Sequence, residues 1–102
     1  MRLNVAYYKN SYFHFQKFIE LDPHDSCAIC DFNKKEFKDQ IERYLNFLTS
    51  QRVNISLEEK DGLYKPKISF RSVVDELRFY DSKQSAYRYA IKKSFEILNN
   101  YI

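Results

Sequence analysis

The sequence predicts an α+β fold: a three-stranded antiparallel meander with two long helices on one face, plus an additional N-terminal helix. Three observations predict it. Phe37, Ile41, Tyr44, Leu45 and Leu48 recur at helical spacing. The period then drops to two at Val53, Ile55 and Leu57, and a second helical period begins after Ser82. At 102 residues, with one Gly and two Pro, the chain suits one core without linkers or repeats. We therefore read 1–102 as a single domain, with 1–33 a helix-and-loop extension and 34–102 a helix–strand–strand–strand–helix core.

Each element has a local reason. Tyr8, Tyr12, Phe15 and Ile19 share one helical face, which predicts a helix from about Ser11 to Leu21, with Phe13 on the opposite side. It should stop before Asp22-Pro23, because proline disfavours a helical residue in front of it. Pro23 to Asn33 lacks a period and reads as a loop. Asp31 or Asn33 can cap a second helix reaching about Ser50, with Glu36 and Asp39 near its positive end.

Asp61-Gly62 is a strong hairpin signal after the first strand. Tyr64, Ile68 and Phe70 carry the alternation back. Pro66 lacks an N–H, so it is expected near the strand's start or on an edge. After Val73-Val74-Asp75-Glu76, Leu77 and Phe79 fit a short third strand. Asp81 or Ser82 caps the last helix. Its inner face is Ala86, Tyr87, Ala90, Ile91, Ser94, Ile97, Leu98 and Tyr101, and the small residues let it lie close to a sheet. Phe95 falls off that face; it either packs under the N-terminal segment or, with Tyr89, adds exposed contact area.

Composition narrows the function. No apolar run approaches the ~20 residues of a membrane span. The start, Met1-Arg2-Leu3-Asn4-Val5, shows no signal-peptide pattern, which predicts a cytoplasmic protein with reduced thiols. Residues 1–51 hold seven Lys/Arg and seven Asp/Glu; residues 52–102 hold ten against seven and carry the whole net charge of +3. The single Gly excludes glycine-rich nucleotide loops.

His24-x-x-Cys27-x-x-Cys30 is the most metal-like constellation. Tetrahedral zinc needs a fourth ligand, which His14 or a second copy of the chain would have to supply. The same cysteines could be a redox pair, or small apolar residues closing a loop onto the core. Glu58-Glu59-Lys60, with Asp75, has the spacing of some metal-dependent nucleases, but Glu36-Phe37-Lys38 shows that spacing on a helix too. No assembled catalytic set emerges, so the chain reads as a non-enzyme with no cofactor beyond a possible zinc ion.

From about Lys34 onward the order helix–strand–strand–strand–helix resembles the double-stranded RNA-binding domain. Ser82, Lys83, Ala86, Ala90 and Glu96-Ile97-Leu98 match that family's last helix. The resemblance implies phosphate contact by Lys83. Gln84 and Tyr87 stand where the family has further lysines, and its usual glycines are missing. A nucleic-acid surface would draw on Lys83, Arg88 and Lys92 of the basic helix, with Lys65 and Lys67 near the hairpin.

The leading expectation is a protein-interaction module. Tyr7, Tyr8, Phe13, Tyr89 and Phe95 form an aromatic surplus beyond what one small core should absorb, and tyrosine is favoured at interfaces. In size and composition the chain is similar to small accessory proteins of phages and mobile elements, some of which inhibit host defences. A second copy, meeting through the N-terminal helix, is another expected partner.

Overall fold

The computed structural model describes residues 3–102; Met1 and Arg2, which open the segment read above as lacking a signal peptide, lie outside it. Helices α1 (Lys9–Glu20), α2 (Ile29–Lys34) and α3 (Phe37–Ser50) are followed by strands β1 (Val53–Lys60), β2 (Leu63–Phe70) and β3 (Val73–Glu76), then helix α4 (Lys83–Asn99). The fold is α+β, with a three-stranded antiparallel sheet in the order β1-β2-β3.

Asp61 and Gly62 both take left-handed backbone, φ 55° and 76°, and join β1 to β2 across the Lys60–Leu63 pair. Two successive left-handed residues suit the twist of the strands they connect. Val53, Ile55 and Leu57 stand opposite Phe70, Ile68 and Pro66, so one face of the sheet is apolar and carries α3 and α4. The other face holds Asn54, Ser56, Glu58, Lys65, Lys67, Val74 and Glu76 and is not covered by a helix.

Two strand expectations are corrected. Pro66 lies inside the central strand, not at its start or on an edge. Its nitrogen faces the β3 side, where pairing is interrupted: its carbonyl accepts from Leu77 N–H at 3.0 Å, and the next pair, Tyr64–Tyr80, is an isolated bridge. No ladder bond is therefore lost. The third strand is Val73–Glu76, ahead of Leu77 and Phe79. A two-residue loop, Arg71-Ser72, turns the chain immediately after Phe70, so pairing starts at Val73.

The segment expected to be loop contains α2. The Glu20 carboxylate accepts from the Ile29 backbone N–H at 3.2 Å, and Gln40 Nε2 donates to the Phe32 carbonyl at 2.8 Å. Six residues are too few to show a period, and Asp31 lies within this helix instead of capping the next. The chain breaks at Lys35–Glu36, and α3 starts with no side-chain cap.

Helix α1 packs on α3 and α4, not on the sheet. Phe15 is its anchor. Its ring stacks on Tyr44 at 4.7 Å and meets Phe32, Phe47 and Phe95 edge-on at 5.2, 5.2 and 5.5 Å. One side chain thus touches aromatic rings from all three other helices. Phe95 is 0% exposed, which corrects its assignment to a partner surface: α1 is the layer that covers it. Tyr101, placed on the inner face by period, is 57% exposed because α4 ends at Asn99. Ser82 caps α4, its Oγ accepting from Ser85 N–H at 3.1 Å. Among the described residues no helix is long and apolar enough to cross a membrane.

Candidate functional site

The N-terminal segment, the link from β3 to α4 and the outward side of α4 meet at one groove. Tyr8, Leu77, Tyr80 and Tyr89 form it, with Lys92, Lys93 and Glu96 at the rim, and it encloses about 210 Å³. Two main-chain bonds hold Tyr80: its N–H donates to the Tyr64 carbonyl at 2.7 Å and its carbonyl accepts from Tyr64 N–H at 2.8 Å. The Tyr80 ring stacks on Tyr89 at 4.9 Å, 13° from parallel. Arg78 lies 5.3 Å from the Tyr80 ring centre. Tyr7 stands edge-on to Tyr8 at 5.4 Å and is 83% exposed, a large apolar area left in water.

The charges at this groove are uneven. Lys93 lies 3.7 Å from Glu96, while no carboxylate among the described residues pairs with Lys92. Burial, with the nearby Glu96 carboxylate and Tyr7, raises the Tyr8 phenol above its ordinary value, so Tyr8 stays a neutral hydroxyl. The groove offers flat ring surfaces, phenol groups and cations, with no nucleophile and base in contact.

The structure gathers three of the aromatic residues singled out from sequence, Tyr7, Tyr8 and Tyr89. Phe13 is exposed elsewhere on α1, with Lys17 Nζ 4.6 Å from its ring centre. Tyr80 escaped notice and Leu77 was read as strand because both lie in the link after β3, where no period marks a side; the hint was the local density of aromatics at Phe79-Tyr80.

The basic residues are spread out. Lys65 and Lys67 lie on the uncovered sheet face, both within reach of Glu76 at 3.6 and 3.2 Å. Those two amines hold the Glu76 carboxyl below its ordinary value. Lys83 Nζ lies 5.9 Å from the Tyr64 ring centre. Arg88 is half-buried over Phe37, in a cleft shared with Lys34, Lys35 and Lys38. Of the five cations expected to meet nucleic acid, Lys92 alone lines the tyrosine groove.

The loop after α1 is held together by its acids. Asp22 Oδ1 accepts from His24 and Asp25 N–H at 2.9 and 3.3 Å, and Arg43 pairs with Asp22 and Asp25 at 3.2 and 2.9 Å. Cys27 N–H donates to the Ile19 carbonyl at 3.2 Å. Cys27 is half-buried, Cys30 and His24 are exposed, and both thiols are free. Among the described residues no three His, Cys, Asp or Glu side chains converge to hold a metal, so His14, His24, Cys27 and Cys30 do not form the expected ligand set. The sheet register also separates the nuclease-like residues. Glu58, opposite Lys65, is on the uncovered face; Asp75, opposite Ile68, is on the helix-bearing face.

No family model matches this chain, and neither does any curated protein or solved structure.

Proposed function

We propose that this protein is a non-catalytic binding module that docks another protein on the Tyr8–Tyr80–Tyr89 groove, with the exposed Tyr7 beside it. The supporting observation is the Tyr80–Tyr89 stack, whose Tyr80 is held by the Tyr64–Tyr80 backbone pair and whose Tyr89 is 46% exposed. Rings held in place lose little entropy on binding and offer both apolar area and a polar tip. With Lys92 and Lys93 at the rim, the partner surface is an apolar side chain beside a carboxylate. An inhibitor of the phage or mobile-element type is one form such a module takes. Nucleic-acid binding receives less support, because its five candidate cations lie on different parts of the surface.

The test uses a photo-crosslinking residue at Tyr89 to capture the partner in the native host, with a crosslinker at Asn54 on the uncovered sheet face as control. The purified partner is then titrated against variants. Tyr80→Ala and Tyr89→Ala should each weaken binding at least tenfold, and Lys92→Glu should slow association. Unchanged affinity in all three variants, with melting preserved, rejects the groove. Crosslinking only to RNA or DNA rejects the protein partner.

A further inference from the structure

Arg52 and Arg71 pose a puzzle that the fold does not resolve. Both have left-handed backbone, φ 65° and 57°, a conformation that disfavours any residue with a Cβ. They occupy the positions immediately beyond the Val53–Phe70 pair, where β1 and β2 end side by side. Like charges placed opposite one another across strands repel. Glycine or asparagine would suit both turns better, and neither would bring a charge.

Both arginines line one cleft of about 590 Å³ between the α3–β1 turn and the end of the chain. Gln51 adds an amide, Tyr101 a phenol, and Phe70 and Leu98 supply apolar wall. Ile102 completes the lining; no Asp or Glu side chain lines the cleft, and no carboxylate among the described residues pairs with either arginine. The Arg71 guanidinium lies 5.4 Å from the Phe70 ring centre and 5.1 Å from that of Tyr101. Those rings meet edge-on at 4.9 Å. Stacking on rings occupies the guanidinium faces and leaves the in-plane N–H groups for a ligand.

We propose that this cleft binds a small organic phosphate monoester, with Arg52 and Arg71 sharing its phosphate and the apolar wall taking its organic part. Two guanidinium charges match a monoester dianion, and their N–H forks suit paired phosphate oxygens. A bridging anion also turns the Arg52–Arg71 repulsion into attraction to a shared centre. A volume of about 590 Å³ exceeds what one phosphate needs and lies in the range of small-molecule sites. This site is separate from the tyrosine groove, so each reading stands or falls alone.

The experiment is a titration of the full chain with phenyl phosphate, inorganic phosphate and benzoate, followed by amide NMR and thermal melting. Phenyl phosphate should saturate, shift the Gln51, Arg52, Arg71 and Tyr101 signals and raise the melting temperature. Inorganic phosphate should bind more weakly at the same signals, and benzoate more weakly than phenyl phosphate. Binding should weaken on acidification through about pH 6, where the monoester takes up a proton. Arg52→Gly and Arg71→Gly suit the left-handed backbone; each should lose binding at least tenfold, with melting of the free protein unchanged or raised. The proposal is overturned if phenyl phosphate does not saturate at millimolar concentration. It is equally overturned if benzoate binds as well, if both glycine variants bind normally, or if both melt clearly lower than the parent.

Discussion

The side-chain oxygen of Asn99 accepts from the backbone N–H of Asn10 at 2.9 Å and from that of Ser11 at 3.3 Å. The residue that should cap α1, Tyr8, makes no side-chain capping bond. The end of the last helix therefore caps the start of the first, across 89 positions of sequence. Ser11 reinforces the joint, its hydroxyl donating to the Phe95 carbonyl at 2.9 Å.

Losing this cap should behave like losing a local one. Asn99→Ala is expected to cost about 1 kcal/mol, and Asn99→Asp to retain most of the stability because its carboxylate still accepts at a helix start. Urea unfolding followed by circular dichroism measures both. Equal midpoints for Asn99→Ala and the parent would show that the bond contributes nothing.

Phe15 should be among the costliest residues to truncate. Phe15→Ala is expected to destabilise by about 3–5 kcal/mol, whereas Phe13→Ala on the exposed side of α1 should stay within about 0.5 kcal/mol. A chain beginning at residue 34 loses Phe15 and Phe32 together and leaves Tyr44, Phe47 and Phe95 uncovered. It should fail to fold cooperatively, which a flat melting curve would show.

Acid should loosen the loop between α1 and α2. Bonds from the His24 and Asp25 amides, together with Arg43, hold the Asp22 carboxyl below its ordinary value of 3.8. A depressed carboxylate stabilises the fold above its unfolded value, and that contribution disappears as pH falls through the folded one. Melting temperature should therefore drop below about pH 4. Asp22→Asn should flatten part of that drop, leaving the share from Glu76, which is depressed in the same direction. An unchanged acid profile in Asp22→Asn would count against the assignment.

Gly62→Ala should destabilise even though the added methyl group meets nothing within 4 Å. The cost lies in the φ of +76°, about 1–2 kcal/mol for an L residue. A D-alanine at the same position should be neutral or stabilising, since it prefers that conformation. Equal stability of the two enantiomeric variants would refute the conformational explanation.

The parts of the fold legible in the sequence were those carried by repetition or by local turn chemistry. Val53, Ile55 and Leu57 alternate, Asp61-Gly62 makes its own turn, and Ser82 caps the helix it precedes. What escaped depended on distant partners. Phe95 lies off its helix's main apolar side, and it is buried by α1 and α3 together, through Phe15, Tyr44 and Phe47. Of the five aromatics read as a surface surplus, Phe95 went into the core instead, beside Phe15, Phe32, Tyr44 and Phe47. The same holds for the groove: Tyr7, Tyr8 and Tyr89 stood out as aromatics, but Tyr80 joins them only through its pairing with Tyr64.

The Asn99 cap also bears on how the chain is made. Asn99 leaves the ribosome 89 positions after Asn10, so α1 emerges without the acceptor that finishes its first turn. Until α4 arrives, the Phe15 side of α1 also lacks Phe95, one of the rings it is shaped to meet. Phe15 can meet Phe32, Tyr44 and Phe47 as they emerge, but the joint between α1 and α4 waits until the sheet between α3 and α4 has been made.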